Sequence, residues 1–293
     1  VFTFPETRFD FVGDEYIYAE ISREMSIESN FKAISITNEL RMRNIPGIID
    51  ICPANASYLI RYNPELIAGQ DLKDYIQEID IRKSRLSELN MQIQIIEIPT
   101  WYDDPITPEY SSQFTDRHQH PGMTDFEFVM NVNGFKDKNA FIEAHSSMPY
   151  LISMVGFIPG TAWEFQIGVA NENIIQVPKY LSPRTKTPAR AIGLGGAFTV
   201  VYPMGSSGSY QLIGMSAVPV YDEERRLVEL ENVVLARPGD LWKHRPIDER
   251  EYQRIVEEVE KGTYRYHIKE VEFSSEKYLL YGKEYIDELM EGF

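Results

Sequence analysis

Apolar positions Leu72, Tyr75, Ile76 and Ile79 recur at the i, i+3, i+4, i+7 spacing of one helix face, and predict a helix over 71–83. A second helix is predicted over 29–43, where Phe31, Ile34 and Leu40 fall on one side. Strand-like runs surround both. Residues 9–21 read as two strands about Gly13-Asp14, a hairpin signal. Residues 48–51 and 57–62 read as strands about Pro53-Ala54-Asn55, and 93–98 as an apolar strand ended by Pro99. The order ββαββαβ predicts an α+β domain over 1–100.

The pattern changes afterwards. Residues 101–123 are polar, aromatic and broken by proline, and read as a linker or surface loop. Two helices follow. Thr124 and Glu127 have capping-box spacing, Gly134 suits a helix C-terminus, and Asp137 can cap the helix that carries Phe141, Ile142 and His145. From Tyr150 to Tyr221 the chain is mostly strands with Gly/Pro turns, so a β-barrel domain is expected over 124–237. The rest, 238–293, reads as a C-terminal helical extension. Asp248 and Glu251 again have capping-box spacing, Tyr252, Ile255, Val256 and Val259 form a stripe, and Gly262 ends it. The acidic, aromatic end fits a strand and a last helix, or an arm that packs on a partner.

Composition narrows the function. A net charge of −16 on 293 residues argues against nucleic-acid binding, which needs clustered Lys and Arg. It leaves room for a small anionic substrate in a local basic pocket. Cys52 is the only cysteine, so no disulfide framework or thiolate metal site can be built, and a cytoplasmic location is expected. No stretch approaches the ~20 apolar residues of a membrane helix, and the opening VFTFPETRFDF lacks a signal-peptide profile.

Four groups could carry chemistry. His145 can act as acid, base or donor, or can simply end a helix with Ser146 and Ser147 capping the turn. No nucleophile elbow surrounds these serines. Gly156-Phe157-Ile158-Pro159-Gly160 is a tight turn whose backbone N–H groups can bind an oxyanion, or an ordinary barrel turn. Arg184, Lys186 and Arg190 form a local basic cluster suited to carboxylate or phosphate, or a solvated loop. Gly193, Gly195 and Gly196 match neither a Walker loop nor a dinucleotide fingerprint, and read as close packing in a strand. His118 and His120 form H-x-H, a weak metal pattern, so no metal site is expected.

At these residues the chain resembles the family of allophanate hydrolase subunit 1, the B-type subunit of 5-oxoprolinase and the kinase inhibitor KipI. His145-Ser146-Ser147 with Tyr150 is similar to its H-S-S-x-x-Y. The 156–160 turn resembles its G-F-x-P-G, and Pro183-Arg184 its P-R. Tyr202-Pro203 with 210–214 resembles its Y-P…G-G-W-x-I-I-G ending. Gly13-Asp14 and 47–53 match its opening. The likeness covers roughly residues 8–222. It departs at Thr161-Ala162-Trp163-Glu164, where F-x-Y-L is usual, at Phe198-Thr199 in place of Q-T, at Ser206-Ser207-Gly208-Ser209-Tyr210 in place of S-P-G-G-W, and at Arg190, where a glycine is usual. Pro188-Ala189-Arg190 and the segment after Pro238 look closer to the carboxyltransferase domain of urea carboxylase or to an acetophenone carboxylase small subunit.

The resemblance implies a ferredoxin-like α+β N-terminal domain, a cyclophilin-like β-barrel and a site shared with a second carboxyltransferase-type subunit. It implies ATP on a partner subunit, with biotin on a partner rather than on this chain. The expected activity is ATP-dependent carboxyl transfer to a small acceptor such as a urea-type amide or aromatic ketone. His145, Arg184 and Arg190 are then the catalytic candidates. Ser146, Ser147, Gly156, Phe157, Pro159, Gly160 and Tyr210 are the substrate-binding ones. ATP-dependent amide hydrolysis of the oxoprolinase or allophanate hydrolase type and a KipI-like, non-catalytic regulator of a histidine kinase are the alternatives.

Overall fold

The computed structural model describes residues 4–85, 89–224, 227 and 233–293. They fall into two compact units. The first holds the chain up to Ile93, with Ser153–Val155 and Glu270–Leu289; the second holds Gln94–Ile152, Gly156–Lys269 and Met290–Phe293.

In the first unit, β1 (Arg8–Val12) and β2 (Tyr16–Glu20) form a hairpin across Gly13, whose φ of 63° glycine adopts without a Cβ penalty. Helix α1 (Ile27–Arg43) starts where the Ser26 side chain accepts the Ser29 N–H, and stops at Asn44 in the left-handed region. Then come β3 (Ile48–Pro53), β4 (Ser57–Tyr62) and α2 (Gly69–Arg82). The sheet order is β1-β2-β4-β3, antiparallel throughout. β4 lies between β2 and β3, the two strands that α1 connects. This is the split β-α-β of ferredoxin-like sheets, with β1 in the outer position. Alternation buries Ile17 and Ala19 of β2 and Tyr58, Ile60 and Tyr62 of β4 on one face. A buried ion pair, Lys32 Nζ to Asp80 Oδ1 at 2.7 Å, ties α1 to α2, and Thr7 joins it. Phe273 and Tyr278, from near the C-terminus, pack on Phe31 at 5.3 and 5.8 Å. The acidic, aromatic end therefore covers this unit's own first helix.

The second unit is built around a closed barrel. Strand β5 (Asn90–Tyr102) leads to α3 (Ile106–Ser111), a 3-10 turn (Ser112–Arg117), α4 (Asp125–Val132) and α5 (Lys138–Ser146). The strands that follow are β6 (Tyr150–Val155), β7 (Ala162–Gln166), β8 (Arg184–Thr187) and β9 (Ala191–Gly195). After them come β10 (Phe198–Val201), β11 (Ser206–Gly208), β12 (Gln211–Ser216) and β13 (Leu241–Pro246). Helix α6 (Glu249–Glu260), β14 (Ile268–Ser274), α7 (Ser275–Tyr281) and α8 (Lys283–Met290) complete the chain. The order β12-β9-β10-β7-β6-β13-β5 closes because β12 also pairs with β5. A cyclophilin-like barrel is compatible with this closure. The Thr124–Glu127 capping box forms in both directions, and the Asp137 side chain accepts the Ala140 N–H.

Three elements depart from the sequence reading. Pro99 does not end its strand: β5 runs on to Tyr102, and from Gln94 it belongs to the barrel unit. The Pro99 carbonyl accepts the Ala217 N–H at 2.9 Å, so the residue still serves the ladder with the one group it has. Residues 101–123, read as a linker, hold the end of β5, α3 and the 3-10 turn. Within 238–293, β13 is a barrel strand parallel to β5, because Leu241, Trp242 and His244 are all buried. Within the 124–237 expectation, 225–226 and 228–232 lie outside the described residues.

Candidate functional site

Two buried polar constructions stand out in the barrel unit, one fully enclosed and one that backs a surface cleft. The enclosed one is centred on His145, at the end of α5 and fully buried. Its Nδ1 is hydrogen-bonded to the Tyr102 hydroxyl at 2.8 Å and its Nε2 to the Thr199 hydroxyl at 3.0 Å. Tyr150 donates to the His145 carbonyl at 2.8 Å, which places the Y of the H-S-S-x-x-Y pattern against the H. Burial pushes the His145 pKa well below its ordinary 6.5, so the ring is neutral. His244 lies beside it, with ring centroids 5.2 Å apart.

Donor counting decides the protonation of the neighbouring pair. The Thr100 hydroxyl donates to the Ile98 carbonyl at 2.9 Å, so it must accept from His244 Nδ1 at 2.8 Å. Burial holds His244 neutral, with its pKa down to about 3, so Nε2 carries a lone pair. Glu164 Oε2, 2.9 Å from that Nε2, is then the donor. Burial correspondingly raises the Glu164 pKa well above 4.5, with the Val201 N–H pulling weakly the other way. Glu164 is a carboxylic acid inside the barrel, not a carboxylate.

The second construction surrounds Arg184, at the start of β8 and fully buried. Its guanidinium donates to the Tyr210 carbonyl at 2.8 Å and to the Thr187 hydroxyl at 3.3 Å, and lies 4.6 Å from the Tyr180 ring centroid. Asp125 Oδ2 is 3.6 Å from it and accepts the Leu212 N–H at 2.7 Å. Asp125 Oδ1 accepts the Tyr180 hydroxyl. The His120 N–H donates to His118 Nδ1 at 2.8 Å, so the His118 proton sits on Nε2 and goes to Gln211 Oε1 at 3.0 Å. His118, Asp125 and Tyr180 back a cleft of about 240 Å³. The H-x-H pattern is thus a hydrogen-bonding corner, and among the described residues no cluster of His, Cys, Asp and Glu could hold a metal ion.

On the barrel wall next to Arg184 lies a group of rings. Trp163 and Phe198 are half-buried and 5.4 Å apart, and Trp163 is 6.0 Å from Tyr210. Lys179 Nζ sits 5.1 Å from the Tyr210 centroid and 5.9 Å from that of Trp163. Alternation explains the arrangement: Glu164 points into the barrel, so its neighbours Trp163 and Phe165 point out. Gly195 makes room. A Cβ there would come within 2.4 Å of the Tyr210 ring. Gly193 is filled by the same side chain, with Tyr210 Cβ 2.9 Å from its would-be Cβ, so these glycines seat a tyrosine and offer no phosphate cradle.

The remaining candidates separate. Arg190 has a φ of 69°, which is why a glycine suits this position. Its guanidinium donates to the Ala217 carbonyl at 3.1 Å, and its charge is felt by Tyr252 and Tyr266 of the C-terminal segment, not by the groups around Arg184. The carbonyl of buried Ser146 accepts Lys243 Nζ, and exposed Ser147 closes α5. In the 156–160 turn, the Gly156 N–H is spent on the Thr161 carbonyl at 3.0 Å. Phe157 has a φ of 86° and is 65% exposed, Pro159 is exposed, and buried Gly160 has a φ of 86°. Trp163 Nε1 donates to the Gly156 carbonyl at 3.4 Å, which joins the turn to the ring wall.

Sequence reasoning missed Lys179, Asp125, Tyr180 and His244, and met Glu164 only within a departure from the family pattern. Glu164 and His244 are fully buried polar positions in β7 and β13, strands that carry other polar residues as well, so spacing alone does not single them out. Lys179 carries no signal. Trp163 and Phe198 were visible only as departures from the family pattern, Tyr210 also as a substrate-binding candidate, and the fold brings all three together.

Known proteins are similar to this chain in sequence and in fold. Urea amidolyase of Saccharomyces cerevisiae is 21% identical over 98% of this chain and 16% of its own length. The B-type subunit of 5-oxoprolinase from Escherichia coli O157:H7 is 26% identical over 78% of this chain and 91% of its own. The urea carboxylase structure from Kluyveromyces lactis superposes with a TM-score of 0.77 at 19% identity, over 97% of this chain and 25% of that one, and so shares the fold. The chain therefore spans about a sixth of the curated urea amidolyases it matches. Residues 7–230 match the model of the carboxyltransferase domain, subdomain C and D, and the chain belongs to that family.

Proposed function

We propose that this chain is one part of an ATP-dependent carboxylase and helps move a carboxyl group onto a small acceptor, against a second carboxyltransferase-type subunit. One observation carries the reading. The urea amidolyase match runs over 98% of the chain, whereas the oxoprolinase subunit match covers 78%. Gly193 and Gly195 seat Tyr210 rather than a phosphate, and this reading assigns ATP to other chains or domains, and biotin likewise where it is used.

In this reading, the groups available to substrate are those that reach the surface: the Phe157 and Ile158 amides of the 156–160 turn, Lys179, and the rings of Trp163 and Phe198. The turn amides would stabilise an enolate or oxyanion as charge develops. Tyr210 shapes the wall. His145 and Arg184 are enclosed, so they act as positioning residues. Arg184 holds the Tyr210 backbone, and His145 holds β5 and β10 through Tyr102 and Thr199. Arg190 ties its turn to the Ala217 carbonyl.

The test is reconstitution with a second carboxyltransferase-type subunit and an ATP-using subunit. Acceptor-dependent, bicarbonate-dependent ATP hydrolysis in the assembly alone is expected. Hydrolysis that needs 5-oxoproline and no bicarbonate would instead favour amide hydrolysis. That second reading is supported by the relatives named as 5-oxoprolinase subunits, two of which are matched over 91% and 95% of their own lengths.

A further inference from the structure

We propose that the wall of Trp163, Phe198, Tyr210 and Lys179 is a binding site for a planar, π-conjugated carboxylate. Three rings from β7, β10 and the turn before β12 meet edge to face, at interplanar angles of 74° for Trp163–Phe198 and 84° for Trp163–Tyr210. Half-buried rings in that arrangement form an apolar, π-rich surface suited to a flat ligand. Lys179 is exposed and holds its ammonium over two of them. No carboxylate pairs with it among the described residues, in a chain whose net charge is −16. A cation left unpaired on an acidic protein, against aromatic faces, complements an anion attached to a flat group.

Two further observations point to an occupant. The Tyr210 hydroxyl is buried and has no hydrogen-bond partner among the described residues, which leaves a donor unspent in the wall. Burial raises its pKa, so it stays a neutral donor. At the rim, Phe157 holds a large apolar side chain in solvent from a backbone with φ of 86°, a conformation that costs energy and persists where it is used. Carboxyl transfer leaves a carboxylate on its acceptor. The role of the ligand as that product rests on the functional reading above, whereas the site itself rests on the geometry.

The test measures binding to the purified chain by titration calorimetry, with the Trp163 indole resonance as a second readout wherever Trp163 is kept. Benzoate, benzamide and cyclohexanecarboxylate separate charge from planarity. Benzoate is expected to bind at least tenfold more tightly than the other two. Lys179→Met, an exposed substitution, should bring benzoate down to the benzamide level. Trp163→Leu should bring it down to the cyclohexanecarboxylate level. Equal affinity for the three probes, the absence of a saturable change, or a benzoate preference that survives Lys179→Met would overturn the proposal. Benzoate binding in a chain whose reconstituted assembly carboxylates nothing would retain the site and reject the functional reading.

Discussion

The barrel interior and the barrel wall use the same strands for opposite purposes. Inside, His145, His244, Glu164, Tyr102, Thr100 and Thr199 hold one another in short hydrogen bonds and exclude solvent. Outside, one residue earlier in β7 and β10, the rings of Trp163 and Phe198 face solvent beside Lys179, which pairs with no carboxylate among the described residues. The residue that best matches the family motif, His145, lies in the interior. Of those that depart from it, Trp163, Phe198 and Tyr210 lie on the wall and Glu164 lies inside. A departure from the motif therefore marks either face of the same strand, and burial decides which.

The largest expected effect comes from the pin between the two regions. Arg184→Ala leaves Asp125 buried without its guanidinium, and should lower the unfolding free energy by roughly 3–5 kcal/mol, read by chemical denaturation. A loss under ~1 kcal/mol would mean that the wall does not depend on this residue.

The interior is tested next through Glu164. Glutamine can still donate to His244 Nε2, so Glu164→Gln should cost no more than about 1 kcal/mol at neutral pH, while Glu164→Ala should cost about 2–4 kcal/mol. The pH dependence has a definite sign. The folded Glu164 pKa is raised above 4.5, so the folded protein holds a proton that the unfolded chain releases, and stability falls as pH rises above 4.5. The His244 pKa is lowered from 6.5 to about 3, so its contribution is present above 6.5 and is lost as pH falls toward 3. Glu164→Gln removes only the first slope. Its stability relative to the parent should therefore improve steadily when denaturation is repeated from pH 5 to pH 8. A buried carboxylate paired with imidazolium would instead make the glutamine variant much the less stable.

Gly195→Ala tests the wall. Its Cβ would meet the Tyr210 ring at 2.4 Å, and the displacement should cost about 1–3 kcal/mol and shift the Trp163 indole resonance. The smallest effect is expected at Arg190. Arg190→Gly relieves a positive φ worth roughly 1–2 kcal/mol and gives up a hydrogen bond worth about 1 kcal/mol, so net stability should barely change.

Much of the fold was legible locally. Thr124, Asp137 and Asp248 cap the helices that follow them, since a short polar side chain can reach the free N–H groups of the first turn. The hairpin at Gly13-Asp14 and the apolar stripe of α6 were equally local. Strand ownership was not. The apolar alternation from Met91 to Ile98 suits either sheet, and only the partners available, β12 and β13, put it in the barrel.

The candidate site divides in the same way. Sequence by itself determined which residues have chemistry to offer and, through spacing and capping, where helices and strands begin. It also placed the chain in its family. It could not say that Arg184 and Arg190 serve different neighbours, or that His145 is enclosed. Nor could it show that Trp163, Phe198, Tyr210 and Lys179 share one wall. Those outcomes depend on strand register and barrel closure. A one-residue change of register exchanges inside for outside, and contacts between distant segments leave no mark on local spacing.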